Sequence, residues 1–588
     1  MNNYKLNKVI DDSKKLNILA TLLRLLPLLR AEKKRIFLAT IAVFANSGLN
    51  LAAPILIGYA VDNYIITKQF HGVLIYAAIL LVIYLLSLVA NYLQTMIMGT
   101  VGQNVLFSLR NLLFNKIQSL PVAFFNQNKA GDLISRINND TDKLNQFLSQ
   151  GLVQFVANII TIIGAAIFII IINWRLGLFA LIPAFLLLIF TRLVSPWIKK
   201  TNALSLNRVG ALSAEISESL NNFKIIIAFN RRDYFRKKFS QANDENYSSA
   251  IKAGIANNTL APTYGLASNM AQLIVIAYGI YLISIGNFSI GLLISFIAYI
   301  SRLYDPLRQM AQIWASFQTA LAGWDRINII LSLNSDLPTL TNNDGEVIND
   351  SLLEFKDVYF KYSEGKDILR NVNFKLQKAK TYALVGPTGG GKTTTASLMA
   401  RLYDPTKGII LLNGRDIRSY ESGERVKKIG FILQDPFLFS GTVRENLLYG
   451  NEKLHNYSNE QLKTLINKSG LSELLKRFDE GVETKISGIS GSLSLGQKQL
   501  IAFMRAVLRE PEILILDEAT ANIDTVTEKL LEEILNKLPA QTTKIIIAHR
   551  LNTIASADEI FFVNGGEITH AGSFQNALSL LLHGKRSS

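Results

Sequence analysis

An all-α six-helix membrane domain with long intracellular extensions, followed by an α/β domain built on a phosphate-binding loop, is the fold predicted by this 588-residue sequence. Three observations predict it. Uncharged stretches of membrane-spanning length recur through the first 310 positions, a segment rich in Asn, Asp, Ser and Pro follows, and beyond it the strand-like TYALV runs directly into GPTGGGKT. So long a chain exceeds one ordinary core. A positive mean hydropathy beside 18 % charged residues suits a membrane part joined to a soluble part.

Residues 1–36 are a basic leader and elbow, with Lys5, Lys8, Lys14, Lys15, Arg24, Arg30, Lys33, Lys34 and Arg35. The apolar run after them is too long for the core of a cleavable signal peptide, so none is expected. A membrane helix needs about 20 mostly apolar residues. The domain 37–322 supplies six, at roughly 37–61, 72–99, 147–173, 176–197, 258–283 and 288–310. The last two divide the uncharged stretch Ala253 to Ser301 at SIGNFSIG (284–291), whose Gly and Asn form turns.

Charge sorts the connections by side. The connection from 192 to 252 carries Lys199, Lys200, Arg231, Arg232, Arg236, Lys237 and Lys238, whereas the alternate connections offer little beyond Lys68 and Arg175. The positive-inside rule then puts both termini in the cytoplasm. It also reads the net charge of +16 as membrane topology rather than nucleic-acid binding. The chain has no cysteine, which excludes disulfides, thiolate catalysis and Cys-ligated metals, and five scattered His residues disfavour a zinc cluster.

The two long intracellular connections each hold a polar helical segment, at 120–144 and 213–235. Two readings are open: levers that reach into the cytoplasm, or plain extensions of the membrane helices. Within the uncharged stretches themselves, which end at Thr191 in the fourth span and at Ser301 in the sixth, the polar residues are neutral, among them Asn46, Ser47, Asn50, Asn91, Asn158, Asn269 and Gln272. They are expected to bond helix to helix. The absence of Asp, Glu, Lys and Arg there argues against an ion-coupled carrier.

A linker is expected over 323–351, and a nucleotide-binding domain over 352–585. Short buried strands alternating with helices imply a mostly parallel sheet. After TYALV come Gly386, Pro387, Thr388, Gly389, Gly390, Gly391, Lys392 and Thr393, followed by Thr394. Glycines let backbone N–H groups close around phosphates, Lys392 reaches the terminal phosphates, and the Thr393 hydroxyl ligates magnesium. A second strand, ILIL, ends in Asp517 and Glu518, placed to hold magnesium and to polarise the attacking water. A third, KIIIA, delivers His549 to the same sheet edge, where it is a candidate for the γ-phosphate.

These parts in this order, with LSLGQ at 493–497 between them, resemble the ATP-binding cassette transporters over almost the whole chain, and more closely an exporter half-transporter. The resemblance implies ATP and Mg2+ as cofactors. Tyr362 matches the aromatic that stacks on adenine, and Gln434 the glutamine that senses magnesium and water and meets the levers. Asp517 corresponds to the magnesium ligand, Glu518 to the catalytic base, His549 to the switch histidine, and Asp524 to the loop that crosses to the partner. Ser494, Gly496 and Gln497 correspond to the motif that, in this family, binds the nucleotide held by the other chain. A second half-transporter is therefore implied as an obligatory partner.

Three positions depart from the pattern. Leu495 stands where Gly is commonest, Gly488 where many exporters carry a coupling Glu, and Ala521 where Ser is frequent. DEATANIDT resembles the intact subunit of heterodimeric exporters, whereas the complete catalytic set suits a homodimer. The function expected is ATP-driven export of a hydrophobic or amphipathic drug, lipid or peptide, from a multi-pass protein of the cell's inner membrane. The alternative is an ATP-gated channel or regulator of the same architecture.

Overall fold

The computed structural model describes residues 4–6, 27, 29–335, 337–340, 351–362, 365–434, 436–451, 453–486, 493–517, 525–547 and 554–583. These residues form two compact units. One is the helical unit within 11–117 and 131–332. The other takes in 333–588 together with segment 118–130 and the N-terminal residues 4–6.

The helical unit is built from α1 (Lys33–Ala60, continued by a π turn Val61–Ile65), α2 (Phe70–Gln118), α3 (Leu152–Ile172), α4 (Trp174–Asn221), α5 (Arg232–Ser284) and α6 (Ile290–Ser332). Each belongs to one of the six helical runs, among the described residues, that are long and apolar enough to cross a membrane. Most outlast the apolar stretches that announce them. Beyond Gly99, α2 continues because Val101, Val105, Leu109, Leu113 and Ile117 recur every four residues and are buried, an amphipathic stripe in place of all-round hydrophobicity. At 1.5 Å per residue its 49 residues span about 74 Å, more than twice a hydrocarbon core of about 30 Å. Helix α6 likewise runs to Ser332, into the segment expected as linker, on a face that buries Trp324, Ile327 and Ile330.

The two long polar connections, 120–144 and 213–235, are helical through much of their length. The long helices do extend, and at their tips short helices form, Val122–Gln127 and Phe223–Ala228. Before α3 the chain is helical from Ala130, with π turns at Arg136–Asp140 and Phe147–Gly151. This run holds a buried ionic cluster. Asp140, fully buried, pairs with Arg326 and with Lys143 (3.3 Å), while Arg136, 1 % exposed, bonds Asp132 (3.1 Å) and the Arg326 carbonyl (2.8 Å).

The C-terminal half of α1 and the start of α6 are stitched together. Tyr299 Oη donates to the Leu51 carbonyl (2.5 Å), Ser295 Oγ to the Pro54 carbonyl (2.7 Å), and the Gly291 N–H to Asp62 (2.7 Å), which also accepts from Ser289. A β-carbon at Gly58 would collide with Ser295 and the Gly291 carbonyl, and one at Gly291 with the Gly58 carbonyl. Small residues thus let the two backbones meet.

The α/β unit has a six-stranded sheet. In chain order its strands are β3 (Thr381–Val385), β5 (Ile429–Ile432), β6 (Ile513–Asp517), β7 (Thr543–Ile547), β8 (Glu559–Asn564) and β9 (Glu567–Gly572), arranged β9-β8-β3-β7-β6-β5. All pairs are parallel except the hairpin β8–β9. A smaller antiparallel sheet carries β1 (Ser351–Phe360), β2 (Leu369–Gln377) and β4 (Lys407–Leu412). Strands β3, β6 and β7 are almost wholly buried, as their mostly apolar content, rich in Ile, Leu, Val and Ala, requires when helices cover both faces.

Candidate nucleotide site

Parallel pairing puts the carboxyl ends of β3, β7, β6 and β5 at one edge, where ligands of open α/β sheets bind. Strand β3 leads into Gly386–Gly391 and then helix α7 (Lys392–Met399). Gly386 and Gly391 have φ of 147° and 115°, a region that side chains rarely adopt, and a β-carbon on Gly386 would strike the Val563 carbonyl of β8. The loop can therefore lie against its own sheet and lead directly into the start of a helix, an end that favours anions.

Lys392 is 5 % exposed, and its Nζ donates to the carbonyls of Gly386 (2.9 Å) and Pro387 (3.0 Å), which hold the ammonium within the loop's curve. Thr393 Oγ1 donates to Asp517 Oδ1 (3.2 Å). Asp517 ends β6 with 1 % exposure. A hydroxyl and a carboxylate so paired are the hard oxygen donors that magnesium takes beside phosphate, so the residues fit the metal and the nucleotide expected here.

Gln434 follows β5 by two positions, and its carbonyl accepts from Gln499 Nε2 (3.5 Å). Tyr362 lies beside the loop: its hydroxyl shares a hydrogen bond with Thr394 Oγ1 (3.3 Å), and its ring packs edge-on against Phe360 and Tyr403 with centroids 4.9 and 5.3 Å away. Sequence reasoning missed Tyr403, in LYDPT just after α7. That Tyr also accepts from Asn126 Nδ2 (2.7 Å), on the short helix Val122–Gln127. No local pattern in the sequence marks the pair.

Ser494 begins α8 (Leu495–Val507) with a capping box. Its Oγ accepts from the Gln497 N–H (3.1 Å), and its own N–H donates to Gln497 Oε1 (2.9 Å). Gln497 Nε2 donates in turn to the Arg477 carbonyl (3.1 Å), so this side chain braces the turn. Among the described residues no hydrogen bond joins 493–497 to the Gly386–Thr393 loop. Glu518, Asp524 and His549 lie outside the described residues, as do Gly488 and Ala521.

Comparison with known proteins agrees with this arrangement. The family described as ABC transporter transmembrane region matches residues 36–307, and the one described as ABC transporter matches 369–521. The chain is 32 % identical to an uncharacterized ABC transporter ATP-binding protein, YfiC, of Bacillus subtilis, covering 94 % of this chain and 91 % of that one. It is 31 % identical to a fatty acid ABC transporter ATP-binding/permease protein of Mycobacterium bovis (85 % and 79 % covered). It is 30 % identical to a multidrug resistance ABC transporter ATP-binding and permease protein of Lactococcus lactis (84 % and 83 %). With its membrane region and its ATP-binding domain in one polypeptide, the chain belongs to the ABC transporter family, as an exporter-type half-transporter and transport ATPase.

Proposed function

We propose that the chain exports a hydrophobic or amphipathic molecule by alternating access, driven by ATP and Mg2+ at composite sites of a cassette dimer. The observation that carries the reading is the Thr393–Asp517 pair beside the Gly386–Lys392 loop, in the same chain as six membrane-length helices. The fatty acid and multidrug names of its relatives favour an apolar or amphipathic cargo.

In this reading the loop N–H groups and Lys392 bind the phosphates, and Tyr362 stacks on adenine. Thr393, Asp517 and Gln434 hold the metal, which neutralises phosphate charge. Glu518 polarises water and His549 touches the γ-phosphate. Ser494 and Gly496 at the start of α8, with the bracing Gln497, face the nucleotide of the other chain, whose Asp524 loop faces back. Two features support a partner. Among the described residues no hydrogen bond joins the Ser494 turn to its own chain's loop, and the tip helix Phe223–Ala228 with the following Phe229 exposes Phe223, Ile225 and Phe229, an apolar surface that calls for a cover. The partner is an identical or a related half-transporter. The protein lies in the inner membrane with termini and cassettes cytoplasmic, following the charge asymmetry of its connections.

The test is Glu518→Gln in membrane vesicles. The variant should bind ATP and hold a closed dimer, with hydrolysis and ATP-dependent dye efflux both lost. Wild-type turnover in it would refute the assignment of the base, and conductance without uphill transport in the wild type would favour a channel.

A further inference from the structure

Residues 4–6 are held as a partner strand would be held, although the partner is a pair of side chains. Gln127 Oε1 accepts from the Tyr4 N–H (2.8 Å). Asn128 uses both ends of its carboxamide, with Nδ2 donating to the Tyr4 carbonyl (2.9 Å) and Oδ1 accepting from the Leu6 N–H (3.1 Å). These three bonds are made by the backbone of 4–6, so the course of the segment is fixed against Gln127 and Asn128. Two of its three side chains are buried: Tyr4 and Leu6 are each 1 % exposed, and the Tyr4 ring meets Phe124, itself fully buried, edge-on at 6.2 Å. The Tyr4 hydroxyl then donates to the Asn334 carbonyl (3.0 Å), just beyond the end of α6.

What is gripped in this way is the helix Val122–Gln127, six residues long and too short to persist unaided. A further attachment is Asn126 to Tyr403, whose ring walls Tyr362. The short helix therefore sits between a strap on one side and the adenine-side aromatics on the other. We propose that Tyr4 and Leu6 are positioning residues for this helix: they hold Asn126 against Tyr403, so that nucleotide arriving at Tyr362 is felt in segment 118–130. Without the strap, ATP still binds and the segment no longer responds. The inference rests on the exporter reading only for its physiological meaning, which is coupling of the cassette to transport.

The test uses the full chain in lipid nanodiscs, and compares wild type, Tyr4→Ala/Leu6→Ala and Tyr4→Phe. Amide hydrogen exchange of 118–130 is measured with and without Mg-ATP, beside the affinity for trinitrophenyl-ATP. Wild type should show exchange in 118–130 slowed by Mg-ATP. The double variant should exchange there at least tenfold faster (order of magnitude) and be indifferent to ATP, with analogue affinity within about twofold of wild type. Tyr4→Phe, which keeps the ring and loses only the Asn334 bond, should follow wild type. Unchanged exchange in the double variant would overturn the proposal. So would faster exchange accompanied by lost ATP binding, which is plain destabilisation of the cassette. A wild-type chain that answers ATP in 118–130 yet moves no cargo would defeat the exporter reading and leave the strap standing.

Discussion

Thr393 and Asp517 stand 124 positions apart in the chain and one hydrogen bond apart in space, at 3.2 Å. The contact joins the first turn of α7 to the last residue of β6, two elements that meet because β7 lies between β3 and β6 and pairs in parallel with both, which brings their carboxyl ends to one edge.

Both oxygens should therefore be needed for hydrolysis, and only weakly for holding the adenine. Asp517→Asn or Thr393→Val is expected to lower ATP hydrolysis on the order of 100-fold, the scale of losing one charge-stabilising group. Binding of trinitrophenyl-ATP should change far less. Phosphate release at saturating ATP, with and without EDTA, checks this: chelation should abolish wild-type turnover, and added Mg2+ should restore it.

Asp140 is fully buried, and of its charged partners Arg326 keeps about a third of its side chain in contact with solvent. Asp140→Ala should cost about 2 kcal/mol. That is less than the loss of a wholly buried partner, because Arg326 can rehydrate. Asp140→Asn, which still accepts a hydrogen bond, should cost less. Thermal unfolding in detergent is the measurement, and equal melting temperatures for Asp140→Ala and wild type would show the cluster to be idle.

In the cassette, burial pushes the Glu512 carboxyl up, but the Lys428 ammonium (2.8 Å) and Asn413 (3.0 Å) outweigh it and hold its pKa below the ordinary carboxylate value. A depressed pKa means stability that is present above the unfolded-state value and lost as pH falls through the folded-state value. Acidification across that window should destabilise wild type more than Glu512→Gln. Since Glu512 is partly exposed, the effect will be small. Parallel melting curves for the two proteins from neutral pH to pH about 3 would contradict it.

The nucleotide loop was legible because its chemistry is local: glycines, Lys392 and Thr393 are adjacent, and a strand precedes them. Asp517 was legible from a buried strand that ends in an acid. The spans were visible as uncharged runs, but their ends were not. Arg110 and Lys116 close the apolar window of α2 while the four-residue stripe from Val101 to Ile117 keeps the helix going. Tyr4 and Leu6 carried no signal at all, since their partners Gln127, Asn128 and Asn334 are remote in sequence and ordinary in type. Tyr403 was silent for the same reason: only the fold brings Asn126 to it.

The bonds from Tyr299, Ser295 and Gly291 across to α1 make a spliced beam of two helices. A splice resists shear, so bending one member bends the other. Any tilt of α6 over Gly291–Tyr299 is therefore shared with α1 from Leu51 to its end and with the Asp62 turn beyond it. A substitution that adds bulk at Gly58 or Gly291 would convert that stiff pair into two independent rods.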